Sequence, residues 1–320
     1  MTVTQTGEFG LIARITARLG RQPRGPDDHA VLVGPGDDAA VLAAPDGWVV
    51  VTTDALVAGR HFRRDWASAV EIGHRAAAAN LADIAAMGAR PTALVVALCT
   101  PPDLEVAWVE GLADGMAAEA GSVGARVVGG DVSASPTLTV AVTALGDLGG
   151  AAPVTRGGAR PGDVVAMAGR LGYAAAGLTV LSRGFRSPKL LVEAYRRPEV
   201  PYRAGPDAAA LGATAMIDVS DGLLADAGHV AAASGVAIDI RRDAFDVPAP
   251  MRNAAEALGA DPYDWILTGG DDHALVATFP EGTALPDQWR VIGAARTGAG
   301  VTVDGEPHHG VAGWDHFRGG

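Results

Sequence analysis

The chain has 320 residues, 48% of them hydrophobic and 5% aromatic, and a formal net charge of −12. That length and apolar content support a sizeable core in one large domain or two smaller ones, and exclude a disordered tail. The acidic balance excludes a nucleic-acid-binding surface, which needs a positive footprint.

In chain order, Met1–Gly10 is polar and carries no secretory signal pattern. Glu8–Leu19 places Phe9, Ile12, Ile15 and Leu19 at helical spacing, and Gln22–His29 reads as a loop. Ala39–Leu42 and Trp48–Thr52 read as strands flanking the Pro45-Asp46-Gly47 turn. A long helix is predicted over Ala67–Met87, then a strand over Thr92–Cys99, a helix over Leu104–Ala120, and strands at Arg126–Val128 and Leu138–Leu145. Glycines and two prolines between Gly146 and Gly162 mark a boundary, giving domains over 1–147 and 148–320. Beyond it the pattern predicts strands at Val164–Ala168, Ala215–Val219, Val236–Ile240, Ala274–Phe279 and Trp289–Ile292. Helices are predicted near Ala174–Leu181, Pro188–Tyr195, Leu223–Ala233 and Met251–Leu258. The expected class is α/β (α+β), with two domains that each layer a sheet against helices.

No apolar run approaches the roughly 20 residues that span a bilayer. The expectation is a cytoplasmic protein with no membrane partner and no nucleic-acid partner. Cys99 is the single cysteine, so no intrachain disulfide or cysteine zinc site forms. It reads as a buried strand residue. Lys189 is the single lysine. Gly172–Thr179 has the spacing of a phosphate-binding P-loop but carries Leu178 where the lysine is required. It reads as a glycine turn entering a helix.

Acidic turns end several apolar runs: Gly36-Asp37-Asp38, Thr52-Thr53-Asp54, Gly129-Gly130-Asp131 and Asp218-Val219-Ser220-Asp221-Gly222. Each has a plain reading as a turn or a helix cap. Thr52–Asp54 follows Val49-Val50-Val51 directly and puts three oxygen donors at the predicted strand end. Asp83 follows Asn80 by three residues, so both lie on one helix face. Hard oxygen donors are what Mg²⁺ prefers, and sites with several Mg²⁺ ions handle phosphates. Gly269-Gly270-Asp271-Asp272 repeats the glycine-then-acid pattern. His61, near Asp54, suits a substrate contact, and Arg156, flanked by glycines, suits a phosphate clamp. His29, His229, His308 and His309 read as loop or packing residues.

In this order the motifs resemble the thiamine-monophosphate kinase family, in the superfamily that includes aminoimidazole ribonucleotide synthetase and selenophosphate synthetase. The resemblance runs from residue 7 to about 317. It rests chiefly on Thr52–Phe62 (TTDALVAGRHF) and Asn80–Pro91 (NLADIAAMGARP), with Gly34–Val41, Thr155–Asp163 (TRGGARPGD), Gly269–Leu275 and Gly313–Phe317 (GWDHF). It implies ATP-dependent phosphorylation of thiamine monophosphate to thiamine diphosphate by a homodimer joined through N-terminal sheets. By the same resemblance, Asp38, Thr52, Thr53, Asp54, Asp83, Asp131, Asp218 and Asp221 match Mg²⁺ ligands. Gly130, Asp131, Arg156 and Ser220 match ATP contacts, and His61, Asp271 and Trp314 match the thiamine-phosphate site. The family usually has Gly-Gly-Glu-Asp-Tyr where this chain has Gly269-Gly270-Asp271-Asp272-His273, and often a tyrosine where Trp314 stands. The alternatives are another ATP-dependent synthetase of the superfamily and a non-catalytic thiamine-phosphate or nucleotide binder.

Overall fold

A computed structural model describes residues 1–6, 8–20, 31–33 and 40–314. His29, Asp37 and Asp38 lie outside the described residues, as does the end of the Gly313–Phe317 motif. The chain forms two compact units: Met1–Ile84 with Ala89–Gly150, and Ala85–Gly88 with Ala151–Gly320.

The first unit runs α1 (Val3–Thr6), α2 (Glu8–Leu19), β1 (Val31–Val33), β2 (Val41–Leu42), β3 (Val50–Val57) and α3 (Ala69–Ala86). It continues with β4 (Arg90–Thr100), α4 (Val106–Ser122), β5 (Arg126–Ala134) and β6 (Thr139–Asp147). A four-stranded sheet has the order β3-β6-β4-β5, while β1 and β2 pair as a separate ribbon. The parallel pair β4–β5 is joined by α4, the crossover that parallel strands require. Val140, Val142, Ala144, Leu94, Val96 and Leu98 line one face of the sheet and are all buried. The opposite face is partly open, leaving Val51 64% and Val95 36% exposed.

Alanine and glycine let α3 and α4 approach backbone to backbone. A Cβ on Gly115 would lie 2.0 Å from the Val70 carbonyl oxygen, and one on Gly73 would lie 2.2 Å from that of Leu112. Helix α2 docks on α4 through ion pairs of Arg14 with Glu110 and of Arg18 with Asp114 and Glu110.

The second unit runs β7 (Val164–Ala168), α5 (Tyr173–Ser182), α6 (Lys189–Arg196), α7 (Ala204–Ala210), β8 (Ala215–Val219), α8 (Leu223–Ser234) and β9 (Ala237–Ile240). After a 3₁₀ turn at Arg242–Ala244 come α9 (Ala249–Leu258), α10 (Pro262–Thr268), β10 (Ala274–Phe279), β11 (Trp289–Arg296), β12 (Gly300–Val303) and β13 (Glu306–Pro307). Its seven strands have the order β13-β12-β9-β11-β7-β10-β8. Every residue of β8 and β10 is buried, so these strands show no alternation of apolar and polar positions, and each carries one buried polar residue, Asp218 in β8 and Thr278 in β10.

Two local expectations change. Strand β3 continues through Asp54 to Val57, and β5 continues through Gly129-Gly130-Asp131 to Ala134. These two acidic motifs are strand interiors, held by pairing with β6 and β4. The P-loop-like segment is a glycine turn into α5, with Gly172 at φ +83°. Cys99 is half-buried in β4. Among the described residues, no helix is long and apolar enough to cross a membrane.

Candidate active site

The pleat of the first sheet sorts the candidate residues by face. Asp54 pairs opposite Val142, Val142 opposite Val96, and Val96 opposite Gly130. One residue along, Ala55, Ala141, Ala97 and Asp131 share the other face. Thr52 and Asp54 therefore face α3, whereas Thr53 and Asp131 face the open side. The three adjacent donors expected at a strand end do not converge, because successive strand side chains point to opposite faces. Thr53 and Asp131 also stand three strand spacings apart across the sheet, about 14 Å, and two residues apart along it.

On the α3 side the contacts are direct. Thr52 Oγ1 donates to Asp83 Oδ2 at 2.7 Å, and the Asp54 amide donates to Asn80 Oδ1 at 3.0 Å. Asn80 is buried and donates in turn to the Ala76 carbonyl oxygen at 3.0 Å. The one-face reading of Asn80 and Asp83 thus holds, and together they tie α3 to the edge strand. The Asp54 carboxylate is exposed.

On the open side, Thr53 Oγ1 donates to the Val142 carbonyl oxygen at 3.0 Å and accepts from Thr143 Oγ1 at 3.1 Å. Asp131 is exposed and accepts from Ser133 Oγ at 2.9 Å. Gly130 has no room for a side chain, since a Cβ there would lie 2.1 Å from the Val96 carbonyl oxygen. A cavity of about 1010 Å³, with Ile12, Leu42, Val95 and Thr143 among its walls, opens beside Gly129, Gly130 and Asp131. Just past β3, His61 Nδ1 accepts the Val57 amide proton at 2.9 Å. A ring nitrogen that accepts carries no proton, so Nε2 is the protonated nitrogen of the neutral ring.

In the second unit, three loops meet at the end of β8. The Asp271 amide donates to the Ser220 carbonyl oxygen at 2.9 Å, and the Trp314 amide donates to that of Asp221 at 2.9 Å. A Cβ on Gly270 would lie 2.0 Å from the Ser220 carbonyl oxygen, so glycine is what lets the turn cross there. Asp218, Ser220, Asp221, Asp271 and Trp314 are thereby brought together. The Arg156 guanidinium is exposed on the segment entering this unit, and its carbonyl oxygen accepts from Ser234 Oγ at 3.1 Å.

Three residues with no assigned role in the sequence complete this neighbourhood. His273 Nδ1 lies 3.1 Å from Asp218 Oδ2, and both residues are buried. Asp226 Oδ2 accepts the amide protons of Asp221 at 3.1 Å and Gly222 at 3.0 Å, fixing the turn from β8 into α8. Burial first, then the charges of Asp218 and Asp221, pushes Asp226 up to about 7 despite those two bonds. Asp272 accepts from the Ala174 amide at 3.0 Å at the start of α5, and its other carboxyl oxygen is buried with no hydrogen-bond partner among the described residues. Burial pushes Asp272 up to about 7, with the Ala174 amide and Arg170 opposing. The sequence signal was present in the run Gly269–His273 and in an acid on the first turn of α8.

Among the described residues no group of three or more His, Cys, Asp or Glu side chains is arranged to hold a metal ion. The donor set nevertheless suits Mg²⁺, which binds through one or two carboxylates and fills its remaining positions with water and substrate phosphate. The mutual repulsion that helps lift Asp226 is the kind a divalent cation relieves.

Known proteins resemble the chain along its length. The family model of the AIR synthase related protein N-terminal domain matches residues 36–148, and that of the C-terminal domain matches residues 160–284. A thiamine-monophosphate kinase of Mycobacterium tuberculosis is 49% identical over 318 residues, covering 99% of this chain and 93% of the relative. One from Corynebacterium glutamicum is 42% identical, with 99% and 95% covered. A crystal structure of thiamine-monophosphate kinase from Stenotrophomonas maltophilia K279a superposes with a TM-score of 0.80 at 36% identity, covering 93% of this chain and 96% of that one. The structure described as AaThiL complexed with AMPPCP and TMP also gives a TM-score of 0.80, at 32% identity and 99% coverage of both chains.

Proposed function

The chain belongs to the thiamine-monophosphate kinase family, and from that premise we propose that it transfers the γ-phosphoryl group of ATP to thiamine monophosphate. The products are thiamine diphosphate and ADP, in the final step of thiamine diphosphate synthesis. The observation that carries this reading is identity to kinases of that family along the whole chain, with a fold shared with a relative that holds an ATP analogue and TMP.

Donor and acceptor are both phosphate anions, so their repulsion has to be cancelled before in-line attack. Bound Mg²⁺ supplies that neutralisation, and several ions serve it here. Thr52, Asp54 and Asp83 hold metal on the helix-facing side of the first sheet, Asp131 and Thr53 on its open side, and Asp218 and Asp221 in the second unit; Asp38 belongs to the same set. Gly130, Asp131, Ser220 and Arg156 contact ATP, with Arg156 meeting phosphate as a planar, permanently charged donor. His61, through a protonated Nε2, Asp271 and Trp314 contact thiamine monophosphate, the tryptophan by stacking on a thiamine ring. The acceptor oxygen is already anionic, so no side chain is needed as a strong base and no phosphoenzyme forms.

The enzyme acts in the cytoplasm as a homodimer. The open face of the β3-β6-β4-β5 sheet, with Val51 and Val95 exposed, supports pairing of two copies there. Purified protein incubated with ATP, Mg²⁺ and thiamine monophosphate is expected to yield thiamine diphosphate by mass spectrometry. A mixture that makes none sinks the kinase reading, and ATP binding without turnover favours the non-catalytic alternative.

A further inference from the structure

We infer that His273 is a positioning residue that sets the orientation of the Asp218 carboxylate, holding one oxygen so that the other is presented to a divalent cation. The inference rests on the reading of Asp218 as a Mg²⁺ ligand. Asp218 lies in β8 opposite Leu275 of β10 and is 4% exposed. A carboxylate so enclosed is costly unless a donor meets it. Its Oδ2 can only accept when ionised, so the contact at 3.1 Å makes His273 Nδ1 the donor.

The backbone is shaped to deliver that imidazole. His273 has φ +52° and Asp271 has φ +68°, both in the left-handed region that non-glycine residues seldom adopt. The conformation is held by the His273 amide donating to the Val219 carbonyl oxygen at 3.0 Å and the Asp271 amide donating to that of Ser220 at 2.9 Å. Between them, Asp272 is anchored to the start of α5 by the Ala174 amide. The turn is thus fixed on both sides of the crossing that carries Asp218, Ser220 and Asp221. The imidazole then stops the Asp218 carboxylate from rotating, as groups behind metal ligands commonly do.

Two substitutions separate the hydrogen bond from the fold. His273→Gly removes the donor and suits a positive φ, whereas His273→Asn keeps an N–H donor and tolerates that backbone. Mn²⁺ binding is measured by electron paramagnetic resonance with a non-hydrolysable ATP analogue present, and the metal-induced rise in melting temperature is recorded in parallel. The glycine variant is expected to bind Mn²⁺ about tenfold or more weakly, and the asparagine variant to regain most of that loss. Should the glycine variant not fold, His273→Ala carries the same expectation. Steady-state kinetics are expected to show a raised Mg²⁺ requirement with the KM for thiamine monophosphate unchanged. Wild-type Mn²⁺ affinity without the donor, or equal weakening with and without it, overturns the inference. Asp218→Asn is the control: if it too binds Mn²⁺ normally, the assignment of Asp218 as a ligand fails and the role of His273 fails with it.

Discussion

Asp272 is enclosed in protein and keeps its proton up to about pH 7, chiefly because burial penalises the charged form. The unfolded chain releases that proton near the ordinary carboxylate value, so between about pH 4 and pH 7 the folded state binds more protons than the unfolded one. This contribution to stability is complete below that window and is lost as pH rises through it. Asp272→Asn keeps an acceptor for the Ala174 amide and carries no charge. Its melting temperature is expected to fall less than that of the wild type between pH 5 and pH 8, and parallel curves would contradict this. Asp54 and Asp131 are exposed, and replacing either by Asn is expected to change stability by less than about 0.5 kcal/mol. Turnover is nevertheless expected to vanish in both, as a rate assay beside a melting curve would reveal; near-normal activity would remove both from the metal set. The acids and His61 stand out in the sequence as candidates because oxygen donors cluster in short runs and a histidine lies in a loop. His273 and Asp226 carried only a faint local signal, and their roles were not legible, since each acts on a partner brought near by strand pairing or by a helix start.

Element boundaries show where local patterns stop being informative. Gly129-Gly130 reads as a turn, yet β5 runs through it, because β4 shifts register at Leu94/Val95 and its Val96 carbonyl lies where a side chain of residue 130 would be. Pairing with β6 likewise carries β3 past Asp54. Helices α7 and α10, each 7 residues long, gave no signal, as two turns are too few for a clear period. Long helices and buried strands were read well, because α3 and α4 are alanine-rich and β7, β8 and β10 are mainly apolar, with Asp218 and Thr278 the polar residues of β8 and β10. Helices α3 and α4 meet through glycine, so Gly115→Ala forces a methyl group against the Val70 carbonyl. A loss of about 1–3 kcal/mol is expected from the urea midpoint, and an unchanged midpoint would mean the helices are not so close.

At the scale of the whole molecule, the sequence conveyed two units and a phosphate-handling chemistry, since both follow from motif order along the chain. It did not convey that the first unit divides its acids between the two faces of one sheet. Pairing of two copies through the open face would give Asp131 and Thr53 new neighbours. Val51→Asp with Val95→Asp is therefore expected to convert a dimer to a monomer in sedimentation and to lower turnover; a variant that stays dimeric would place the interface elsewhere. The proposed transfer is metal-assisted, with no side chain acting as base or nucleophile. The measurement that tests it most directly is the rate of thiamine diphosphate formation as free Mg²⁺ is varied at fixed ATP and thiamine monophosphate. The predicted result is no product in the presence of a chelator and a rate that rises more steeply than first order in Mg²⁺. Product formation that persists when divalent cations are removed would contradict it.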